Sequence, residues 1–206
     1  MIISNHADHK DLKNLTLITG GARSGKSLFA EKIAIARNGS VVYVATMQRY
    51  PNDNEAGARI DMHRARRPAL WTTIEEPFDL AKTICELNGS ERVCLIDCLS
   101  LWVSNVLLSA GDHHEVLRAQ EQTLLLNSGA VISAIAQQSE IEFIVVTNEV
   151  GAGIVPDNLL ARAFRDALGT VNQEFARSAQ EVWLTCVGLP HRLKPPLSPY
   201  PPGVIP

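Results

Sequence analysis

Aromatic residues, excess positive charge and long apolar runs are all scarce in this chain of 206 residues. Aromatic side chains make up 5% of the sequence, and the formal net charge is −3. This balance argues against a general binder of nucleic acid or anionic membranes, because such proteins are normally basic overall. No apolar run approaches the length of a membrane span, and the first residues lack a cationic stretch followed by an apolar one. The sequence therefore predicts neither a membrane span nor a secretion signal.

The cysteines also lack the spacing of a metal site or a redox pair. None of the four forms a CxxC motif, and two of them fall in one strand-like run. This usage predicts reduced thiols in the core of a cytoplasmic protein. The four residues are Cys85, Cys94, Cys98 and Cys186.

Short, continuously apolar runs alternate along the chain with helical patterns. Strands are predicted over 15–19, 41–46, 93–99, 143–148 and 181–187, and helices over 27–38, 54–67, 78–89, 100–110, 115–139 and 157–178. This alternation is typical of a mostly parallel sheet with helices on both faces, the α/β class. One domain is predicted over 15–189, after a polar arm over 1–14. Residues 190–206 contain seven of the eleven prolines, so this tail is expected to be extended or disordered.

A phosphate-binding motif lies between the first predicted strand and the first predicted helix. Residues 20–27, GGARSGKS, fit the pattern G-x-x-x-x-G-K-[ST] in the strand–loop–helix context that the motif requires. Glycines let backbone N–H groups turn toward phosphate oxygens, and a helix N-terminus adds a favourable field. Lys26 would reach the β- and γ-phosphates, and Ser27 would coordinate Mg²⁺. The alternative is a chance glycine-rich turn.

An acidic residue suited to the same magnesium ion ends a later strand. Asp97 follows four largely apolar residues in VCLIDCL, and a motif of this kind usually has such a partner on a neighbouring strand. The alternative is an ordinary strand-end carboxylate that caps the next helix. Together the loop and Asp97 predict binding of a nucleoside triphosphate with Mg²⁺.

One histidine stands among four arginines in ARIDMHRARRP, residues 58–68. On a helix, Arg59, His63 and Arg67 would share one face, with Arg66 beside them. The plainer interpretation is a solvated basic face. The chemical interpretation is that nearby positive charge keeps the imidazole of His63 neutral, so that it can attack an α-phosphate and expel pyrophosphate. Arginines would then bind the phosphate oxygens in the transition state.

Several segments together resemble a known family. They are GGARSGKS, YVAT (43–46), RIDMHRARRPALWTTIEEP (59–77), LIDCLSLWVSN (95–105) and TNEVGAGIVPDNLLARAFRDALGTVNQ (147–173). Their order over 15–189 is similar to that of the bifunctional adenosylcobinamide kinase/adenosylcobinamide-phosphate guanylyltransferases of cobalamin biosynthesis. The last segment is the most specific of them.

The resemblance implies an activity and a fold. Members phosphorylate adenosylcobinamide with a nucleoside triphosphate, and then transfer GMP from GTP to adenosylcobinamide phosphate through a guanylylated histidine. His63 stands at that position, with Met62 where some members have a second histidine. The resemblance also implies a RecA-like P-loop domain and a homotrimer with active sites near subunit boundaries. Whether ATP or GTP donates the phosphate stays open.

The same resemblance implies a set of GTP-binding residues and leaves another segment undecided. Lys26 and His63 would be catalytic, and Ser27 and Asp97 would hold Mg²⁺; some relatives have glutamate where Asp97 stands. Asn148 and Glu149 could contact substrate or metal, while Arg162, Arg165 and Asp166 could form a structural or inter-subunit network. The implied GTP site comprises Gly20, Gly21, Ala22, Arg23, Ser24, Gly25, Lys26, Ser27, Ala45, Thr46, Met47, Arg64, Ala65, Arg66, Arg67, Glu75 and Asp97.

Two other functions compete with this one. A P-loop kinase for small molecules would use the same loop without covalent histidine chemistry. A nucleic-acid binding module driven by a nucleoside triphosphate would use the arginine strip, and its binding would fall steeply with salt.

Overall fold

The structure, a computed structural model, describes residues 11–48, 64–65, 67–109 and 114–195. Its strands are β1 (Leu12–Gly20), β2 (Val41–Ala45), β3 (Thr72–Glu75), β4 (Val93–Asp97), β5 (Glu142–Val146), β6 (Ala179–Cys186) and β7 (Leu189–Lys194). Its helices are α1 (Lys26–Ala36), α2 (Leu80–Cys85), α3 (Leu99–Leu108), α4 (His114–Gln137) and α5 (Leu159–Ser178). The predicted helix over 54–67 lies mostly outside the described residues.

The seven described strands form one sheet in the order β3-β2-β4-β5-β1-β6-β7. All neighbours pair in parallel except β6 and β7, which are antiparallel. The register aligns the strand ends, since Ala45 lies opposite both Glu75 and Asp97, and Val146 opposite both Asp97 and Ile18. The loops that follow these strands therefore meet at one edge, here named the carboxyl edge. The prediction of a mostly parallel α/β domain is confirmed.

Alternating side chains of the strands build two hydrophobic clusters, one on each face of the sheet. Val42 and Val44 point into the larger cluster with α2, α3, α4 and α5, whereas Val41 and Tyr43 point into the smaller cluster with α1. Each fully buried aliphatic side chain contributes about 1.5–3 kcal/mol relative to an exposed one. Trp102 on α3 belongs to this core, and its indole N–H donates to the Phe78 carbonyl at 2.7 Å.

The structure contains two strands that the sequence analysis does not predict. β3 is a four-residue edge strand beside β2, and its TTIE sequence carries only a weak apolar signal. β7 occupies residues that the analysis assigned to an irregular tail, and that expectation is wrong for residues 190–194. Pro190 is tolerated because β7 is an edge strand. Similarly, β1 begins at Leu12, so residues 12–14 belong to the sheet and not to an arm.

A two-residue turn explains why β7 forms. Val187 (φ 47°) and Gly188 (φ 84°) both take left-handed backbone conformations, and Cys186 pairs with Leu189 on either side. Two residues with positive φ make the type of hairpin turn that suits the twist of antiparallel strands.

The cysteines only partly match the expectation of core thiols. Cys94 and Cys98 are buried and reduced, as expected, but Cys85 and Cys186 are exposed. Cys85 is the last residue of the short helix α2, and Cys186 ends β6 at the hairpin turn. Both therefore lie at element ends, where the sheet and helices no longer cover them.

Candidate nucleotide site at the carboxyl edge

The phosphate-binding loop (residues 20–27) joins β1 to α1 at the carboxyl edge. Gly20 is the last residue of β1, and Lys26 is the first of α1. Gly25 takes a left-handed conformation (φ 92°) at the helix start, and no side chain caps it. The first N–H groups of a helix have no partner within it, so they can bind an anion here. The position of residues 20–27 thus agrees with the motif.

Two glycines of the loop have no room for a side chain. A Cβ atom on Gly20 would meet the Thr185 carbonyl oxygen and the Ser24 hydroxyl, and one on Gly25 would lie 3.2 Å from Gly188 Cα. The close approach of β6 therefore requires glycine at position 20, and the left-handed backbone together with the tight contact to the hairpin turn favours glycine at position 25. Both come from the motif that the sequence analysis identified.

Backbone hydrogen bonds attach the loop to the elements on its two sides. On one side the Glu149 N–H donates to the Gly20 carbonyl (3.1 Å), and on the other the Gly188 N–H donates to the Ser24 carbonyl (2.9 Å). Within the loop, the Ser24 N–H donates to the Gly21 carbonyl at 3.2 Å. The loop is thus attached by hydrogen bonds to the segment that follows β5 and to the β6–β7 turn.

Lys26 lies over the loop and close to the acidic end of β4. Its ammonium donates to the Gly21 carbonyl at 3.1 Å. Burial lowers the pKa of Lys26 below its usual value, while the Cys98 thiol and the Asp97 carboxylate act in the opposite direction. An ammonium held by a single backbone carbonyl can move to a phosphate oxygen without breaking an ion pair.

Asp97 belongs to a chain of contacts that also includes Tyr43 and Arg67. The Tyr43 hydroxyl donates to Asp97 Oδ2 at 2.8 Å, and the Arg67 guanidinium carbon lies 3.2 Å from the centre of the Tyr43 ring. Burial, and then the charge of Asp97, raise the pKa of Tyr43 well above its usual range, so its hydroxyl stays a donor. The ring face attracts the cation above it. Arg67 is thereby brought to the carboxyl edge.

Tyr43 is a site residue that the sequence analysis missed. It sits in the apolar run VVYVAT, where a tyrosine is easily taken for core. The signal that could have found it is its polar end, because a buried tyrosine hydroxyl needs a partner.

The sequence analysis placed Asp97 on a strand next to that of the loop, and this detail is wrong. β5 lies between β1 and β4 in the sheet. The segment after β5, Thr147 to Glu149, therefore lies between the loop and Asp97. The Thr147 N–H donates to the Ile18 carbonyl at 2.9 Å, which continues the sheet pairing up to the loop.

Thr46, one of the implied GTP-binding residues, braces the backbone after Asp97. Its hydroxyl accepts from the Cys98 N–H and donates to the Cys98 carbonyl, both at 2.8 Å, and its carbonyl accepts from Asn105 Nδ2 at 2.8 Å. Thr46 is fully buried. Ala45 and Met47 on either side are partly exposed, and Glu75 is exposed at the end of β3.

Buried polar atoms without a hydrogen-bond partner gather at this edge. Within the described residues five of the seven such atoms lie here, and each leaves a donor or acceptor that a ligand or water would satisfy. They are Thr19 Oγ1, Ser24 Oγ, Arg67 Nε, Asn148 Oδ1 and Thr185 Oγ1.

The long specific segment over 147–173 is tied together mainly by internal bonds. Thr147 Oγ1 donates to Asn172 Oδ1 (2.7 Å), and Asn172 Nδ2 donates to the Asn148 carbonyl (3.0 Å). Arg162 donates to the carbonyls of Pro156 (2.9 Å) and Asp157 (2.6 Å). Arg165 pairs with its neighbour Asp166 at 3.0 Å. These arginines thus have structural contacts, whereas the side-chain oxygen of Asn148 has no hydrogen-bond partner.

Two central residues of the predicted chemistry, His63 and Arg66, lie outside the described residues. Arg64 and Ala65 are described, helical and exposed. The chain returns to the carboxyl edge at Arg67. The structure thus brings together Lys26, Asp97, Arg67 and the loop, and tests no placement of His63.

The oxygen donors at the site suit magnesium. Asp97 uses Oδ2 for Tyr43, which leaves Oδ1 free of that bond, and Ser27 lies in the first turn of α1. Carboxylate and hydroxyl oxygens are ligands that Mg²⁺ accepts together with phosphate oxygens and water. No cluster of three or more His, Cys, Asp or Glu suited to a metal occurs in the described ranges.

Comparison with known proteins decides the family. The model of the family "Cobinamide kinase / cobinamide phosphate guanyltransferase" matches residues 16–193. The chain belongs to this family. The resemblance found in the sequence is thereby confirmed, and this family member is an enzyme.

Two relatives support the assignment over almost their whole length. The chain is 42% identical to a bifunctional adenosylcobalamin biosynthesis protein CobP of Pseudomonas aeruginosa over 178 residues, which is 86% of this chain and 96% of the relative. It is 40% identical to a CobU protein of the same description from Escherichia coli over 185 residues, 87% of this chain and 99% of the relative. Among solved structures, the RadB recombinase is similar with a TM-score of 0.43, 14% identity and coverage of 82% of this chain and 73% of that one.

No helix in the described part of this family member is long and apolar enough to span a membrane.

Proposed function

We propose that this enzyme phosphorylates adenosylcobinamide with ATP or GTP and then transfers GMP from GTP to the product, giving adenosylcobinamide-GDP and pyrophosphate. The observation that carries the proposal is that the phosphate-binding loop, with Lys26 at the start of α1, and Asp97 at the end of β4 lie at the same edge of the sheet. Family membership supplies the substrates. We also propose that the enzyme is a homotrimer, that it is located in the cytoplasm and that it does not bind nucleic acid.

In the kinase reaction the loop would bind the triphosphate through its backbone N–H groups. Lys26 leaves the Gly21 carbonyl for the β- and γ-phosphate oxygens, where it offsets charge as the bond to the leaving diphosphate breaks. Ser27 and Asp97 would hold Mg²⁺, which neutralises phosphate charge when it is bound. The acceptor hydroxyl oxygen forms the new bond to the γ-phosphorus, and its proton is released to water.

In the guanylyl transfer His63 would act as the nucleophile. A ring nitrogen attacks the α-phosphorus of GTP, pyrophosphate leaves, and the guanylyl group is then passed to a phosphate oxygen of adenosylcobinamide phosphate. Support comes from Arg67, four residues later in the sequence, which lies on Tyr43 beside Asp97. Arg64, Arg66 and Arg67 would bind phosphate oxygens as the transferred group moves.

Labelling with α-³²P-GTP tests the covalent step. The wild-type enzyme should retain label after denaturation, and mild acid should release it, since a phosphoramidate is acid-labile. His63→Ala should abolish labelling and the formation of adenosylcobinamide-GDP while much of the kinase reaction remains. His191→Ala, which changes an exposed histidine of β7, is the matched control and should label normally.

The competing function, a P-loop kinase without covalent chemistry, predicts a different result. It is favoured if the wild-type enzyme phosphorylates adenosylcobinamide but takes up no acid-labile label, or if His63→Ala transfers GMP normally.

Exposed apolar residues support the proposed self-association. Ile154 (96% exposed) and Val155 follow β5, and an apolar groove between α3 and α5 is lined by Leu107, Leu108 and Phe164. Exposed apolar surface can mark a protein–protein interface. Sedimentation of the wild-type protein tests this part, and a monomer at micromolar concentration would contradict it.

A further inference from the structure

The tip of the β6–β7 hairpin touches the outside of the phosphate-binding loop. The Gly188 N–H donates to the Ser24 carbonyl at 2.9 Å. Gly188 Cα lies 3.2 Å from the position that a Cβ on Gly25 would take. Gly20 lies opposite Thr185 where β1 and β6 pair. The backbones of the turn and the loop are therefore in direct contact.

The hydrogen bond from Gly188 to the Ser24 carbonyl also fixes the direction of the Gly25 N–H, which belongs to the same peptide group. The carbonyl of Ser24 and the N–H of Gly25 belong to one planar trans peptide, so they point in opposite directions. When the carbonyl is held by Gly188, the Gly25 N–H points away from the hairpin. We propose that the Val187–Gly188 turn is a positioning element of the nucleotide site, which aims the Gly25 N–H at the phosphates. This proposal rests on the proposed function and adds a residue to it.

The turn's own geometry supports this role. Val187 is β-branched, takes φ 47° and is 85% exposed, so its side chain has no packing reason to accept a left-handed backbone. Conformations of this kind persist where the surroundings impose them, and they concentrate at functional sites. Here the pairing of Cys186 with Leu189 closes the turn and places the Gly188 N–H on Ser24.

Three variants test the proposal. Gly188→Val puts a β-branched residue at φ 84°, which the turn cannot keep, so the N–H is displaced. Gly188→Asn is the conservative variant, because asparagine tolerates this conformation and a Cβ here meets nothing within 4 Å. Gly89→Val is the matched control: Gly89 also has a left-handed backbone (φ 78°) and open space, but it precedes β4 at the opposite edge of the sheet.

The measurement is the dissociation constant of inorganic tripolyphosphate with Mg²⁺, by calorimetry, with GTP and Mg²⁺ as the second probe. Gly188→Val should weaken both probes by about tenfold or more, the loss expected for one hydrogen bond to a charged group. Gly188→Asn should recover most of the affinity, and Gly89→Val should bind like the wild type although it melts at a lower temperature. If Gly188→Val does not fold, Gly188→Ala replaces it, with a smaller loss for both probes.

Each other outcome overturns the proposal. Unchanged tripolyphosphate affinity in Gly188→Val would show that the turn does not aim the Gly25 N–H at phosphates. A loss of affinity for GTP alone would show that the turn acts on the nucleoside part of the nucleotide. An equal loss of affinity in Gly89→Val would show that general destabilisation of the protein, and not the turn, causes the effect. If the wild type binds neither probe, the proposed function itself fails.

Discussion

The carboxyl edge of the sheet and the opposite edge, where the parallel strands begin and which is here named the amino edge, differ in how their polar side chains find hydrogen-bond partners. At the amino edge Asn14 Nδ2 reaches three carbonyl oxygens, those of Ile135, Gln138 and Ile141, at 3.0–3.3 Å. Gln138 Nε2 likewise donates to two carbonyls at 3.1 Å. At the carboxyl edge five buried polar atoms have no partner, against one at the amino edge, Glu91 Oε2. Polar side chains at the amino edge thus join elements of the fold, while several at the carboxyl edge have no hydrogen-bond partner within the described residues.

Left-handed backbone conformations divide in the same way. At the amino edge they fall on Asn38 and Gly89, residue types that accept them easily. At the carboxyl edge two of them fall on Arg23 and Val187, which do not. Residues that resist a left-handed backbone thus adopt it at the carboxyl edge, which agrees with the tendency of backbone strain to concentrate at functional sites.

The largest expected effect comes from removing the charge over the loop. Lys26→Ala should lower kcat/KM for both reactions by about 100-fold or more, because preorganised charge at a phosphate is among the strongest catalytic contributions. Its melting temperature should stay near that of the wild type, since Lys26 donates to one carbonyl only. Lys82→Ala, on the exposed surface of α2, is the control. Normal turnover in Lys26→Ala would show that the loop at the carboxyl edge does not serve the reaction through Lys26.

The second prediction concerns how the activity depends on pH. Burial lowers the pKa of Lys26 and Asp97 raises it, so activity in the wild type should fall on the alkaline side as the ammonium loses its proton. Asp97→Asn removes a charge that favours the ammonium, so this alkaline limit should move to lower pH. The profile of kcat/KM against pH measures it.

A limit that stays in place, or moves to higher pH, would show that Asp97 does not act on Lys26. Asp166→Asn, which changes an exposed carboxylate paired with Arg165, should leave the profile unchanged.

The third prediction concerns the amino edge. Asn14→Ala removes the donor to the carbonyl oxygens of Ile135, Gln138 and Ile141, in the last turn of α4 and the loop before β5, and it should destabilise the protein by about 1–3 kcal/mol. For a domain of this size that corresponds to a loss of roughly 2–4 °C in melting temperature per kcal/mol. The dissociation constant for GTP with Mg²⁺ should not change. Weaker binding would show that the two edges are coupled.

The same contrast explains what sequence reasoning could predict. The phosphate-binding loop and Asp97 were found because strand, glycine turn and helix follow one another within a short segment, where local pattern decides structure. β3 was missed because it forms by pairing with β2, which lies far earlier in the sequence. β7 was missed although its partner β6 is only a two-residue turn away, because Pro190 argued against a strand there. Tyr43 was missed because its partner, Asp97, is 54 residues away in sequence. Placement of His63 stays a prediction.

The smallest effect is expected from relieving the backbone strain at Val187, which should leave nucleotide binding unchanged. Val187→Asn keeps the turn and replaces a residue that resists φ 47° with one that accepts it, so it should stabilise the protein by about 1 kcal/mol. The gain should appear as a rise of roughly 2–4 °C in melting temperature. Tripolyphosphate affinity should stay close to that of the wild type, because the Gly188 N–H keeps its place on Ser24. A lower melting temperature would mean that the exposed valine packs against a second subunit, and sedimentation of the variant would then show weaker self-association.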